Sequence, residues 1–463
     1  MKTDNSAHII VGLGFGDEGK GTMTDFLCRE HNADLVIRYN GGAQAGHNVV
    51  TEDGKHHNFS QIGSGAFVSG VRTLLSQYML WNPISLAHEA SELSPKINEH
   101  ALQNHFIDCR APVITPFHVA SNRLKEWVRG QSRHGSCGKG VGELAYDLAN
   151  HPDDVIYAKD IHDETKTSRI LSFIQARKKE EITRLGIELD EVPYFLVGLV
   201  QLFTSQNEIA KIADAYKTLS SYFNIIAEKT VNRMIQNSRP VFEGAQGVLL
   251  DEWHGFHPYT TWSSIVPINA FKIISDCRFV GNIEVVGVTR SYSTRHGKGP
   301  FVTENTIPDS ILLSEHNKVN EWQGPLRIGC ADGVMLRYSL DCIRGYFKEP
   351  ISLAITHLDV FDHVDKIPFC NSYAEKRNDL DSKDRILKFI KPNFTKDLSY
   401  QESVAKMLFN SEPIVDRYLY GPEDVVEQIE QTSNLQVKYL SFGASPIQKT
   451  VIGSGFLCES EFF

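Results

Sequence analysis

Apolar positions along this chain fall into two alternating patterns. Short runs that are apolar on both faces, HIIVGL (8–13), DLVIRY (34–39), PVFEGA (240–245), IEVVGVT (283–289) and ISLAIT (351–356), read as strands of a parallel sheet covered on both sides. Between them lie amphipathic stretches at helical spacing, over 20–30, 121–130, about 209–236, 332–345 and 422–431. The alternation predicts an α/β protein with a large, mostly parallel central sheet and helices on both faces. No internal repeat, glycine–serine linker or low-complexity block interrupts it, so residues 1–463 read as one continuous domain with a helical insertion at about 150–236. The charged stretch RKKEEITRLGIELDEVP (177–193) reads as a solvated helix and its exit turn.

Composition narrows the function classes. Of 463 residues, 41% are hydrophobic and 22% charged, the balance of an ordinary globular protein. Lysine plus arginine number 47 against 57 acids, a formal charge of −10, which argues against a nucleic-acid or membrane-surface binder. An anionic small substrate stays open, since a pocket needs only a few cations and backbone N–H groups. The eight cysteines are scattered without a C-x-x-C pair, the usage of a reduced, cytoplasmic chain. No apolar run approaches the roughly 18 residues of a membrane span, so a soluble protein is expected.

The segment GLGFGDEGKGT (12–22) follows one predicted strand and opens a helix. As a dinucleotide fingerprint it fails, because Asp17 stands where the third glycine belongs and would repel a pyrophosphate. As a P-loop, Gly14, Gly19 and Lys20 fit, but Gly21 occupies the place of the magnesium-binding Ser or Thr, and Thr22 comes one residue late. Glycines that let N–H groups converge, a helix start near Gly19 and the charge of Lys20 still suit a phosphate. Asp17 costs such a site affinity unless it holds a metal or takes a substrate proton; the plainer alternative is that it caps the helix. A second loop, NGGAQAGH (40–47), leaves the next strand at its carboxyl end, which would set His47 facing the same phosphates as Lys20.

Five blocks, GFGDEGKG (14–21), NGGAQAGH (40–47), FEGAQGVLLD (242–251), HGFHPYTT (254–261) and YSTRHGKGPFVTE (292–304), together resemble the signature blocks of adenylosuccinate synthetase in order and approximate spacing. The resemblance implies a P-loop-GTPase-like α/β fold, usually a homodimer, and GTP-dependent ligation of L-aspartate to IMP through 6-phosphoryl-IMP, giving adenylosuccinate, GDP and phosphate. It implies that Asp17 removes the N1 proton, His47 acts on the phosphate side and Lys20 offsets charge in phosphoryl transfer. Gly16, Glu18, Gly19, Lys20, Gly21, Gly46, His47, Asp359 and Ser441 would bind GTP, with Asp359 reading guanine N1 and N2. Asp17, Gln44, Cys137, Gln246 and Thr261 would bind IMP, and one Mg2+ would sit with GTP on Asp17 and the Gly46 carbonyl.

Departures from the family pattern gather on the acceptor side. The arginine-rich loop that clamps the aspartate carboxylates appears as EWQGPLRIGCADG (321–333), in which Arg327 is the retained cation and the candidate amino-acid ligand. The loop at the IMP phosphate appears as GSCGKGVGE (135–143), with Cys137 at the threonine and Lys139 at the arginine; Gln44 replaces an asparagine and His357 the lysine of the guanine motif. No counterpart of the arginine that reaches the partner subunit's nucleotide is evident. Cys137 reads as a hydrogen-bonding loop residue rather than a nucleophile. His56, His57, His254 and His257 lack carboxylate or cysteine partners at ligand spacing and read as ordinary histidines rather than a zinc site. The alternatives are a paralogue that ligates another amino acid or another 6-oxopurine nucleotide, a non-catalytic nucleotide-binding regulator, and a plain P-loop kinase, which the missing Ser or Thr after Lys20 disfavours. Asp17, Lys20 and His47 together count against the regulator.

Overall fold

The computed structural model describes residues 5–130, 135–186, 192–308, 311, 319–320, 324–376 and 386–453. In chain order its first strands are β1 (Ser6–Gly12), β2 (Leu35–Arg38), β3 (His47–Val50), β4 (His56–Phe59), β5 (Arg72–Leu75), β6 (His105–Asp108), β7 (Asn224–Ile226), β8 (Pro240–Gly247), β9 (Asn282–Arg290) and β10 (Ser293–Arg295). Among the described residues a ten-stranded sheet runs Lys449–Val451, Val437–Ser441, Ile351–Thr356, β9, β1, β8, β2, β5, β6, β7. Its neighbours are parallel apart from the antiparallel edge pair of Val437–Ser441 with Lys449–Val451.

The doubly apolar strands behave as their pattern requires. In β1, Ala7, Ile9 and Val11 enter one core cluster, whereas Ile10 enters the other, with Met23, Phe26 and Leu27 of α1 (Lys20–Glu30). Period-two alternation thus buries both faces of one strand. With both faces covered, the edge left for a ligand is the one where the parallel strands end. The loops after β1, β2, β8, β9, Ile351–Thr356 and Val437–Ser441 all open there.

After α1 come α2 (Pro83–Ile97), between β5 and β6; α3 (Pro116–Arg129), α4 (Val141–Asn150), α5 (Glu164–Arg184), α6 (Val197–Thr204) and α7 (Asn207–Ser220), between β6 and β7; and α8 (Glu228–Gln236), before β8. The helical insertion expected at 150–236 therefore runs from Pro116 to Ser220, between β6 and β7. Its early start has a sequence signal: Pro116 at the first helical position, with Thr115 and His118 exchanging cap hydrogen bonds. The single helix expected over 209–236 is split, because residues 224–226 pair with β6 as an edge strand, a tertiary contact that periodicity does not encode. The insertion shares a core with α2 and with β5 and β6, in which Phe117, Leu171, Ile174, Phe203 and Tyr216 join Leu86, Leu75 and Ile107.

The stretch 177–193 is less solvated than its charge suggests, although residues 187–191 lie outside the described ones. Lys178 is fully buried, its Nζ 3.0 Å from both Glu143 and Asp147. Asp147 also takes Arg177 Nη2 at 2.8 Å and meets His118 Nε2 at 3.0 Å. Charges on one face of α5 are thus satisfied by α3 and α4 rather than by water. Among the described residues no helix is long and apolar enough to cross a membrane.

Candidate active site

β1 ends at Gly12, and residues 13–19 carry the chain over the carboxyl edge of the sheet into α1. Within this loop Glu18 turns inward. Its carboxylate accepts hydrogen bonds from Gly14 N at 3.0 Å, from Gly16 N at 2.7 Å and from Lys20 Nζ. A Cβ at Gly12 or Gly247 would collide with that carboxylate, so these glycines serve the packing of Glu18. The Glu18 side chain, expected at the triphosphate, is therefore an internal prop, and two loop N–H groups expected at phosphate are committed to it. The anion cradle narrows to the first turn of α1, where the amides of Lys20, Gly21 and Thr22 have no carbonyl one turn back.

The missing Ser or Thr after Lys20 has a steric cause. A Cβ on Gly21 would come within 2.5 Å of His47 Cβ and 3.1 Å of Ser64 Oγ, so β3 packs directly on the first turn of α1. His47 is thereby brought beside Lys20, as the sequence led one to expect. Beneath it lies Glu243 of β8, wholly buried, which takes His47 Nδ1 at 2.6 Å, Ser64 N at 3.0 Å and the Ser64 hydroxyl, with Arg38 Nε 3.9 Å away. Burial raises the Glu243 pKa, but Arg38, His47 and Ser64 overcome it and hold the carboxyl down at about 2. Burial lowers the His47 pKa, and its bond to Glu243 offsets this only in part. An ionised carboxylate accepts and cannot donate, so neutral His47 carries its proton on Nδ1 and turns Nε2 outward as an acceptor. A polyphosphate arriving beside it would favour the protonated, donating form.

Asp17 does not cap α1. Gly19 occupies the cap position without a side-chain bond, while Asp17 sits in a left-handed conformation, φ 61°, and faces the opposite flank. Its Oδ2 lies 3.1 Å from His296 Nε2, and its carbonyl accepts Arg290 Nη1 at 2.9 Å. Burial alone would raise the Asp17 pKa; the hydrogen bond and charge of His296, with Arg290 and Lys20, outweigh it and hold the carboxyl below its ordinary value. Asp17 is therefore an ionised carboxylate beside the anion cradle.

On the acceptor side, Gln44 and Gln246 flank Gly41, and buried amide atoms of both have no hydrogen-bond partner among the described residues. Gln246 is also left-handed, φ 57°. Unpartnered buried amides on a loop held in that conformation are what a polar ligand would satisfy. Thr261 is half-buried, its N–H bonded to Leu250 O at 2.8 Å. The loop with Cys137 and Lys139 hangs from α3: Glu126 accepts Gly135 N and Ser136 N at 3.2 and 3.3 Å, Asn122 accepts Ser136 Oγ at 3.0 Å, and Arg123 Nε donates to Gly138 O at 3.1 Å. Burial pushes the Cys137 thiol pKa up, which removes it as a nucleophile. Gly46 is exposed beside His47. Arg327 is engaged internally: it binds Glu304 through both carboxylate oxygens, at 2.7 and 2.6 Å, and donates to Gly297 O and Gly299 O at 3.0 Å. Residues 321–323 of the same loop lie outside the described ones.

At the other end, Asp359 sits in the short turn after Ile351–Thr356, and burial raises its pKa. Ser441 ends the next strand, its Oγ donating to Gly443 O at 3.0 Å. Lys449 Nζ gathers the carbonyls of Gly443, Ala444 and Ser445 at 3.1, 3.2 and 2.8 Å, and Thr22 Oγ1 bonds Ala444 O at 2.9 Å. The 442–445 loop is thus moored to α1. Sequence reasoning missed Glu243, Arg290, His296 and Lys449. Glu243 and His296 stood inside the quoted blocks, yet only the tertiary pairing reveals what each touches.

The family model of adenylosuccinate synthetase matches residues 9–450. The chain is 33% identical to the Buchnera aphidicola adenylosuccinate synthetase over 384 residues, 80% of this chain and 81% of that one. It is 30% identical to the Leuconostoc mesenteroides adenylosuccinate synthetase over 454 residues, 95% and 97% of the two chains. In fold it resembles the fully ligated Plasmodium falciparum adenylosuccinate synthetase, with TM-score 0.71, 21% identity and 97% and 100% coverage. It also resembles the cyanophage S-2L succinoaminodeoxyadenylate synthetase bound to dGMP and dATP, with TM-score 0.57, 15% identity and 97% and 96% coverage.

Proposed function

This chain belongs to the adenylosuccinate synthetase family, GTP-dependent carbon–nitrogen ligases of purine biosynthesis, and we propose that it joins L-aspartate to IMP through 6-phosphoryl-IMP. The observation that carries this reading is the placing of an ionised Asp17 outside the helix cap, on the same loop as Lys20 and across α1 from His47. In the first step the Asp17 carboxylate takes the N1 proton of IMP, and the resulting O6 oxyanion attacks the γ-phosphorus of GTP as the β–γ bridging bond breaks. Lys20 and the first-turn amides of α1 offset the charge spreading over the transferring group. His47, its tautomer fixed by Glu243, meets that group from the far side. In the second step the aspartate amine attacks C6, the C6–O6 bond breaks and phosphate leaves with O6, while the amine loses a proton.

Mg2+ suits the donors present. Asp17 and the Gly46 carbonyl are hard oxygen ligands, and the ion would supply charge neutralisation on the triphosphate. Among the described residues no group of three or more His, Cys, Asp or Glu side chains is placed to hold a metal ion. Gln44, Cys137, Gln246 and Thr261 would hold IMP, Asp359 and Ser441 the guanine, and Arg327 the amino acid. The homodimer and the cytoplasmic location that the sequence implied belong to the same reading.

The state of Arg327 favours a second reading. A fork already closed on Glu304 is a weak clamp for a dicarboxylate. A paralogue acting on another amino acid or 6-oxopurine nucleotide accounts for that. Incubation with Mg2+, GTP or ATP, each of IMP, GMP and their deoxy forms, and each amino acid, scored by product mass, decides between them. The IMP–aspartate product supports the first reading, a different product the second, and no product with any pair removes both.

A further inference from the structure

Arg327 does something other than wait for a ligand. Its Nη1 holds the carbonyls of Gly297 and Gly299, while Arg295, buried beside it, holds those of Lys298 at 2.8 Å and Pro300 at 2.9 Å. The Cα of Gly297 packs against Gly135, and β10 is paired in register with residues 327–329. Four successive carbonyls of one loop are thus fixed by two arginines, and the residue this loop carries into the site is His296, only 11% exposed. Resting on the reading of Asp17 as general base, we propose that His296 is a positioning residue which donates Nε2–H to Asp17 Oδ2 and so turns Oδ1 toward the purine N1.

Three observations distinguish this pair from an ordinary surface ion pair. Asp17 Oδ2 lies 3.1 Å from His296 Nε2, and a carboxylate oxygen accepts, so the Nε2 facing it bears the hydrogen. The Asp17 backbone is independently fastened through its carbonyl by Arg290, which leaves rotation of the carboxyl group as the freedom still to be removed. His296 also approaches from the β9 side, whereas Lys20 and His47 lie on the α1 and β8 side; holding one oxygen from that flank leaves the other for the substrate. A base whose two oxygens exchange freely spends part of its time in the unproductive orientation, and misplacement of about 1 Å costs on the order of 100-fold in rate.

The test uses the whole enzyme and reads the first chemical step separately from the second. GTP carrying 18O in the β–γ bridge, incubated with Mg2+ and the 6-oxopurine nucleotide but no amino acid, scrambles its label only if phosphoryl transfer to O6 occurs and reverses. For His296→Ala, scrambling and kcat are expected to fall together by about 10- to 100-fold, the worth of one hydrogen bond to a charged group, with the KM for GTP unchanged. His296→Asn, which keeps a donor, is expected to recover most of the loss; this conservative variant also answers whether a folding defect accounts for the alanine result, which thermal melts of both variants check. Scrambling in His296→Ala equal to that of the unaltered enzyme, or no recovery with Asn in a folded protein, overturns the assignment. If the unaltered enzyme itself scrambles no label with any 6-oxopurine nucleotide, the general-base reading falls first and this inference with it.

Discussion

Glu243 of β8 is wholly buried and Asp332, at the start of the Gly333–Arg344 helix, is half-buried, yet the first carboxyl is pulled down to about 2 and the second pushed up to about 6. Glu243 has Arg38, His47 and Ser64 around it. Asp332 has the hydroxyl of Tyr373 and two amides at the start of the Gly333–Arg344 helix, with Arg337 at longer range, and burial dominates. The phosphate side is thus furnished with cations already set against buried anions, a fixed field for a ligand that is always a polyphosphate. On the acceptor side Arg327 is committed to the protein's own groups, Glu304 and the carbonyls of Gly297 and Gly299, and the buried amides of Gln44 and Gln246 stand open to a ligand. A site built this way keeps its phosphoryl-transfer chemistry while its acceptor specificity is free to drift.

The strongest way to break that contrast is on the phosphate side. Asp17→Ala or His47→Ala is expected to lower turnover by at least about 10²–10⁴-fold, the usual worth of a positioned acid–base group, in a coupled phosphate-release assay. Near-normal rate in either variant removes that residue from the mechanism. Glu243→Gln leaves Arg38 buried without its counter-charge and frees the His47 tautomer. The expected loss is about 3–5 kcal/mol of stability by urea denaturation, with a further fall in kcat.

A third measurement sharpens the comparison of the two carboxyls. Because Asp332 keeps its proton longer in the folded state than the ordinary value of 3.8 allows, its protonation stabilises the fold at low pH, and that contribution is lost as pH rises through about 6. Asparagine does not titrate. The stability of Asp332→Asn relative to the unaltered chain is therefore expected to improve between pH 4 and pH 8 by up to about 3 kcal/mol; a pH-independent difference would show that burial does not govern this group. The smallest effect concerns Glu304→Gln. If Arg327 chiefly braces the 296–300 loop, loosening its partner raises the KM for the amino acid by about tenfold or less and leaves that for GTP alone; a lowered KM would place Arg327 in the amino-acid clamp.

The helix Lys20–Glu30 and the strand Ile351–Thr356 were legible to the residue, because each must bury a fixed side-chain period and is bounded by turn residues. The split of 209–236 was not legible, since Asn224–Ile226 is a strand only by virtue of β6 beside it. In the candidate site, the nearness of His47 to Lys20 was legible because loops after successive strands share one sheet edge, a rule of connectivity. The inward turn of Glu18 was not, as nothing in GFGDEGKG says which carboxylate faces the solvent side of the loop.

Sequence by itself determined the principal sheet strands, most helices, the family and the glycine-rich loops at the carboxyl edge of the sheet, all consequences of local periodicity and of residue types at fixed spacing. Tertiary structure alone decided which partner each charge took: Glu243 for His47, Glu304 for Arg327, His296 for Asp17. Those choices depend on distances between side chains 23 to 279 positions apart, and electrostatic energy falls with separation in space, which residue order along the chain does not record.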